Sequence, residues 1–313
     1  MRAVGRRHAA GVILLVLGCL VTASCGAASR VRDASARAAE LALGTVRSAA
    51  ADPHLDAWRP PPLPPGARRA VVRIAVGPLS RQFVDVAPAS ATGPLPLVVV
   101  LHGRRQTPWR AESSQRWDLI AARREAVVAY GAGFGGSWNA GSCCGPAERA
   151  GVDDVGYLLQ VIGTEERRHA VDPRRVYLVG FSNGGMLAYR FACAHARVLA
   201  GLAVVGGSLQ VPDCRPAVPL DVLDVQGDRD RVVPYGGSPF SLAAGAPTTS
   251  IPDSLRPWQQ VARRGAVVRV VRLPRLGHTW PTVQGGGWDG TAQIWRFLTG
   301  SAEAPTGTLA MRS

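Results

Sequence analysis

The spacing of apolar positions changes along the chain in a regular way, and those changes lay out its elements. Residues 97–101 and 176–179 are unbroken apolar runs rich in valine, the pattern of parallel strands buried on both faces. Residues 70–76 and 81–87 form two strand-like runs around Gly77-Pro78, which predicts an antiparallel hairpin at a sheet edge. Further strands are predicted at 126–130, 201–205, 220–225 and 266–273. Between them, helical periodicity falls at 114–124, 153–169, 186–196, 254–264 and 291–298; Val155, Leu158, Leu159 and Ile162 share roughly one side of the second of these. Strands that alternate with helices predict one α/β domain, with a mostly parallel central sheet and helices on both faces.

Outside that alternation the composition shifts. Residues 1–25 run from basic Arg2, Arg6 and Arg7 through an apolar stretch into small residues, which predicts an export signal too short for a spanning helix. Thr22-Ala23-Ser24-Cys25 resembles a bacterial lipobox, whose use would put a lipid on Cys25; ordinary cleavage near 26–28 is the alternative. Residues 26–67 are rich in Ala, Arg and Pro, close on a run of prolines at 60–65, and read as a tether. The domain is expected to span 68–300, followed by a flexible tail at 301–313. This places the protein outside the cell or in its envelope, with the N-terminal lipid as a membrane tether.

Charge alters this picture little. All 36 basic residues are Arg, and the net charge is +14, but the arginines are scattered and not interleaved with aromatics. No nucleic-acid partner is expected. Of the six cysteines, Cys143, Cys144, Cys193 and Cys214 form an even set within the domain, which in an exported chain predicts disulfides ahead of metal ligation. Four cysteines allow three connectivities; the expected one joins Cys193 to Cys214 and leaves Cys143 and Cys144 as an adjacent pair.

The candidate chemistry centres on Gly180-Phe181-Ser182-Asn183-Gly184, a G-x-S-x-G turn between a buried strand and a helix. With 36 glycines in the chain the bare pattern is only moderately specific, and its flanks decide it. Glycines at 180 and 184 let strand and helix approach closely, so the turn exposes Ser182 above the sheet of an α/β-hydrolase fold. A serine hydroxyl needs a base to take its proton and a carboxylate to orient that base. In this fold the chain order is serine, acid, histidine. Only His195 and His278 follow Ser182; His195 falls at the end of the elbow helix, whereas His278 lies in a loop after the last strand, and is the expected base. The acid lies in Gly227-Asp228-Arg229-Asp230-Arg231-Val232-Val233, where spacing alone does not separate Asp228 from Asp230. The pattern G-x-x-D-x-x-V resembles the acid loop of many α/β-hydrolases and favours Asp230. Backbone N–H groups of Asn183 and Arg104 are the expected oxyanion donors, and His102 is assigned a structural role. Trp138, Asn139 and Trp280 are candidate pocket residues, packing at the loop base being the other reading.

Together, 98–107 (VVVLHGRRQT), Trp138-Asn139 with Cys143-Cys144, 152–158 (VDDVGYL), 172–185 (DPRRVYLVGFSNGG), 277–281 (GHTWP) and 294–298 resemble the secreted esterase family of polyhydroxybutyrate depolymerases and feruloyl esterases, and are similar to envelope lipoproteins of the LpqC type. The resemblance covers about 68–299. It implies an α/β-hydrolase fold, a Ser182–His278–Asp230 triad, no metal and no cofactor, and a small-molecule or polymeric ester as substrate. Arg104 stands where depolymerase relatives often have cysteine, and Gln226 where histidine is common. Two other functions remain open at this point: acyl transfer by the same triad to an envelope acceptor, and a catalytically silent glycan-binding module.

Overall fold

The computed structural model describes residues 59–300, apart from 243, 263 and 264. The stretch expected to be an export signal, Cys25, most of the expected tether and residues 301–313 lie outside the described residues. Among the described residues, no helix is long and apolar enough to cross a membrane.

Eight strands form one sheet: β1 (Ala67–Val76), β2 (Leu79–Pro88), β3 (Leu95–Leu101), β4 (Val127–Gly131), β5 (Val171–Phe181), β6 (Gly201–Val205), β7 (Asp221–Gly227) and, after a two-stranded ribbon, β10 (Val268–Leu273). Their order is β1-β2-β4-β3-β5-β6-β7-β10. The first two pairings, β1 with β2 and β2 with β4, are antiparallel. All the others are parallel. The expected α/β-hydrolase architecture is therefore present, with the predicted hairpin at one edge. The ribbon, β8 (Ser238–Ser241) with β9 (Ala246–Thr248), is too short and too polar to announce itself in the sequence.

The buried runs behave as parallel strands should. On β3, Leu97, Val99 and Leu101 face one core, and Val98 and Val100 the other. The same alternation on β5 sends Val176 and Leu178 one way and Tyr177, Val179 and Phe181 the other. Among the described residues the α-helices are α1 (Pro108–Gln115), α2 (Asp118–Ala122), α3 (Pro146–Arg149), α4 (Asp154–Arg168), α5 (Asn183–His195), α6 (Ile251–Ala262), α7 (Val283–Gly286) and α8 (Gly290–Leu298). Leu158 and Val161 of α4, Leu187 and Phe191 of α5, and Leu255 and Trp258 of α6 fill the first core. Trp109, Ile120 and, from α8, Ile294 and Trp295 fill the second.

One predicted helix is broken. The stretch 114–124 is two helices, because Arg116 takes a left-handed conformation (φ 59°) and its N–H closes α1 on the Glu112 carbonyl. Helix α1 starts earlier than expected, with Thr107 accepting the Arg110 N–H and Pro108 in its first turn.

The topology places a site. From β3 the chain moves to β4 on one side and then to β5 on the other, so the crevice at the carboxyl ends of β3 and β5 is a topological switch point. His102 and Arg104 follow β3, and Ser182 follows β5; Asp230 and His278 come from loops after β7 and β10.

Candidate active site

Ser182 sits between β5 and α5 with φ 54°, a conformation that costs a non-glycine residue about 1–3 kcal/mol unless its surroundings hold it. Three features do so. A Cβ on Gly180 would collide with the Gly184 carbonyl, and one on Gly184 would lie 2.5 Å from the His102 carbonyl oxygen. The Ser182 N–H donates to the Val205 carbonyl at 2.8 Å. The side chain of Asn183 is pinned, its Oδ1 accepting the Trp138 N–H and its Nδ2 donating to the Trp138 carbonyl.

Ser182 Oγ lies 2.8 Å from His278 Nε2, and His278 Nδ1 lies 2.7 Å from Asp230 Oδ2. Asp230 Oδ1 accepts the N–H groups of Val232 and Val233 at 2.9 and 2.8 Å, so the carboxylate is fixed at both oxygens. Asp228, its competitor in the sequence, turns away; its Oδ1 accepts the Arg275 N–H at 2.6 Å and ties the two loops together. Gly206, at the end of β6 with φ 57°, passes over the pair, since a Cβ there would lie 3.3 Å from both Asp230 Oδ2 and His278 Nδ1. A side chain at 206 would press on the very atoms that orient the imidazole.

The loop after β3 is equally constrained. His102 is fully buried; its Nδ1–H donates to the Gly103 carbonyl and its Nε2 accepts the Gly133 N–H. Burial lowers its pKa to about 4, so the ring is neutral and structural. Gly103 N–H donates to Gln106 Oε1, and Arg105 N–H to the Gly136 carbonyl. These bonds hold the segment that carries Arg104 against the serine. Asn183 is the first residue of α5, where a backbone N–H has no acceptor within the helix.

A cavity of about 240 Å3 opens onto Ser182 and His278. Arg104, Asn183 and Cys144 line it, with Met186, Val232 and Val233 as its apolar wall. Those three wall residues were not singled out from the sequence. Val232 and Val233 were legible only as followers of the acid loop, and Met186 only as a position one turn into the elbow helix.

The three expected pocket residues lie elsewhere. Trp138 is fully buried, and its Nε1–H donates to the His102 carbonyl at 2.8 Å, so its ring supports the floor of the site from the core. Asn139 is scaffold: its N–H donates to Asp154 and its Nδ2 to the Val152 carbonyl, while its Oδ1 accepts from Arg190. Trp280 is buried in the second core and borders a separate cavity of about 250 Å3 beside Gln115, Leu119 and Thr291. That cavity is no smaller than the one at the serine, but none of Ser182, Asp230 and His278 lines it. Cys193 and Cys214 are bonded (Sγ–Sγ 2.04 Å), as are adjacent Cys143 and Cys144, matching the expected pairing.

Residues 81–234 match the family described as Esterase PHB depolymerase, a span that holds the elbow, the loop after β3 and Asp230. That span is 154 of the 313 residues, and over it the chain is similar to this esterase family. Among the relatives of this chain, a putative esterase NocK of Nocardia uniformis subsp. tsuyamanensis is 30% identical over 227 residues, covering 64% of this chain and 66% of that protein. Feruloyl esterase B of Piromyces equi is 31% identical over 180 residues, or 54% of this chain and 33% of its own. The chain thus spans less than two thirds of the length of these relatives. In three dimensions it is similar to an S-formylglutathione hydrolase from Agrobacterium tumefaciens (TM-score 0.50, 12% identity, 74% of this chain and 95% of that one), a likeness of fold alone.

Proposed function

We propose that the domain is a serine esterase that hydrolyses carboxylic esters through an acyl-enzyme. The observation that carries this reading is the unbroken line from Ser182 Oγ through His278 to Asp230. His278 Nε2 takes the proton of Ser182 as Oγ attacks the ester carbonyl carbon, and the carbonyl oxygen becomes an oxyanion. The N–H groups of Asn183 and Arg104 are the donors for that oxyanion, each donor of this kind being worth on the order of 10²–10³ in turnover. As the tetrahedral intermediate collapses, His278 gives its proton to the departing alcohol; it then activates a water that releases the acid and restores Ser182. Asp230 holds the imidazole with its proton on Nδ1 and stabilises the imidazolium that forms.

Esterases and depolymerases among the relatives, feruloyl esterase B and poly(3-hydroxyalkanoate) depolymerase C of Paucimonas lemoignei, support an ester substrate. The apolar wall of Met186, Val232 and Val233 suits a short acyl chain. The basic-then-apolar leader supports export, with Cys25 as the residue that would carry a lipid. The test is turnover of p-nitrophenyl acyl esters, methyl ferulate and hydroxybutyrate oligomers by the full chain and by Ser182→Ala. The reading requires hydrolysis of at least one of these classes and a fall of several orders of magnitude in the variant; equal turnover in the variant would overturn it.

A further inference from the structure

The charges that face the cavity are of one sign. Arg104 and Arg105 line it, and among the described residues no Asp or Glu does. The nearest carboxylate of the site, Asp230, stands behind His278 and is engaged at both oxygens. Asn183 offers no side-chain amide to the cavity, since Trp138 occupies both of its polar atoms.

Some arginines of this protein are neutralised by an acid: Arg69 pairs with Glu112, Arg81 with Asp154, Arg168 with Asp85, and Arg175 with Asp172. Arg105 forms no ion pair among the described residues, although its main chain is fixed by the bond to Gly136. Its side chain is exposed at the rim of the cavity. The Arg104 side chain runs toward the loop between β8 and β9, its Nη1 lying 3.5 Å from the point where a Cβ on Gly245 would be. Arg104 therefore adds to the positive field, and Arg105 is the guanidinium placed to meet a group on the substrate.

We infer that the cavity selects esters carrying a carboxylate a few bonds from the scissile carbonyl, recognised by Arg105. This rests on the esterase reading and specifies its substrate class. A guanidinium matches a carboxylate with two parallel hydrogen bonds, and it keeps its charge at any pH at which the ester survives. The carboxylate can belong to the acyl part, as in a half-ester of a dicarboxylic acid, or to the alcohol part, as in an acylated hydroxy acid. Because Arg105 is exposed, the attraction is screened by salt.

The experiment compares kcat/KM for two matched pairs. Mono-p-nitrophenyl adipate against p-nitrophenyl hexanoate places the charge on the acyl side; 3-(butanoyloxy)butanoate against its methyl ester places it on the alcohol side. Each is measured at low and at 0.5 M salt with the wild type, Arg105→Gln and Arg105→Lys, and near-ultraviolet circular dichroism checks each fold. The charged-to-neutral ratio of at least one pair is expected to fall about threefold or more in Arg105→Gln, mainly through KM, to recover partly in Arg105→Lys, and to shrink at high salt. The pair that responds identifies the side that carries the charge. Ratios unchanged in Arg105→Gln for both pairs, with Ser182-dependent hydrolysis of the neutral esters intact, would overturn this inference and leave the esterase reading standing. Absence of any Ser182-dependent hydrolysis would overturn that reading instead. Binding of monomethyl adipate, weakened or not by Arg105→Gln, would then decide whether the cavity takes carboxylates.

Discussion

Replacing Asp230 by Asn separates the two acidic residues that the sequence leaves in competition. In the wild type, Asp230 Oδ1 accepts two backbone N–H groups at 2.9 and 2.8 Å, and Oδ2 faces His278 Nδ1 at 2.7 Å. An amide at this position keeps its oxygen where the two N–H donors converge, since an NH2 group there would face both of them. Its nitrogen then points at His278 and donates, so Nδ1 must accept and the ring proton moves to Nε2. An imidazole with its proton on Nε2 does not take one from Ser182. The analogous change in a serine protease triad lowers turnover about 10⁴-fold, equivalent to roughly 5.5 kcal/mol of transition-state stabilisation. Asp228→Asn should behave differently. Its loss is confined to the bond with the Arg275 N–H, and an amide oxygen can still accept it, so turnover should stay within about threefold with stability lower by about 1 kcal/mol or less. Steady-state hydrolysis of a p-nitrophenyl ester by both variants, with thermal melts as control, makes the comparison. Activity of Asp230→Asn within tenfold of wild type, or a greater loss in Asp228→Asn, would refute the assignment.

Other outcomes follow from the same coordinates. Gly206→Ala places a methyl 3.3 Å from Asp230 Oδ2 and His278 Nδ1 at a left-handed backbone position, and should lower kcat by about tenfold or more; unchanged kinetics would show that the pair tolerates displacement. Asp224 is fully buried with Tyr189 donating to its Oδ2, and burial raises its pKa to about 7. Between about pH 4 and 7 the unfolded chain loses this proton while the folded protein keeps it, so stability falls by about 1.4 kcal/mol per pH unit from this group as pH rises. Asp224→Asn removes that slope, so its melting temperature relative to wild type should be higher at pH 8 than at pH 5; a pH-independent difference would contradict the shift. Replacing Cys193 and Cys214 together by Ala should cost about 2–4 kcal/mol in urea unfolding under oxidising conditions, and a change under about 0.5 kcal/mol would show that the bridge contributes little.

The site was legible where sterics and chain order restrict the choices. Glycines at 180 and 184 are needed because the elbow leaves no room for a Cβ, and His278 follows the last strand because the base must reach over from that side of the sheet. Asp230 could not be separated from Asp228 by spacing, since the distinction rests on which backbone amides surround each carboxylate. Trp138 shows a second limit. A tryptophan in a long loop reads as a pocket wall, yet its N–H finds the His102 carbonyl in the core, a long-range pairing that no local pattern records. The break at Arg116 was hidden because arginine is a good helix former, and only the turn geometry makes it a terminus. The apolar runs, by contrast, marked every strand of the main sheet, since burial on both faces leaves few other residue types possible in its centre.

Whether Ser182 Oγ is an activated nucleophile is decided by reaction of the intact protein with a fluorophosphonate, read by mass spectrometry after digestion. A single stoichiometric adduct on Ser182 is expected, lost in Ser182→Ala and formed far more slowly in Asp230→Asn. A folded protein that takes no adduct, or takes it on another residue, would contradict it.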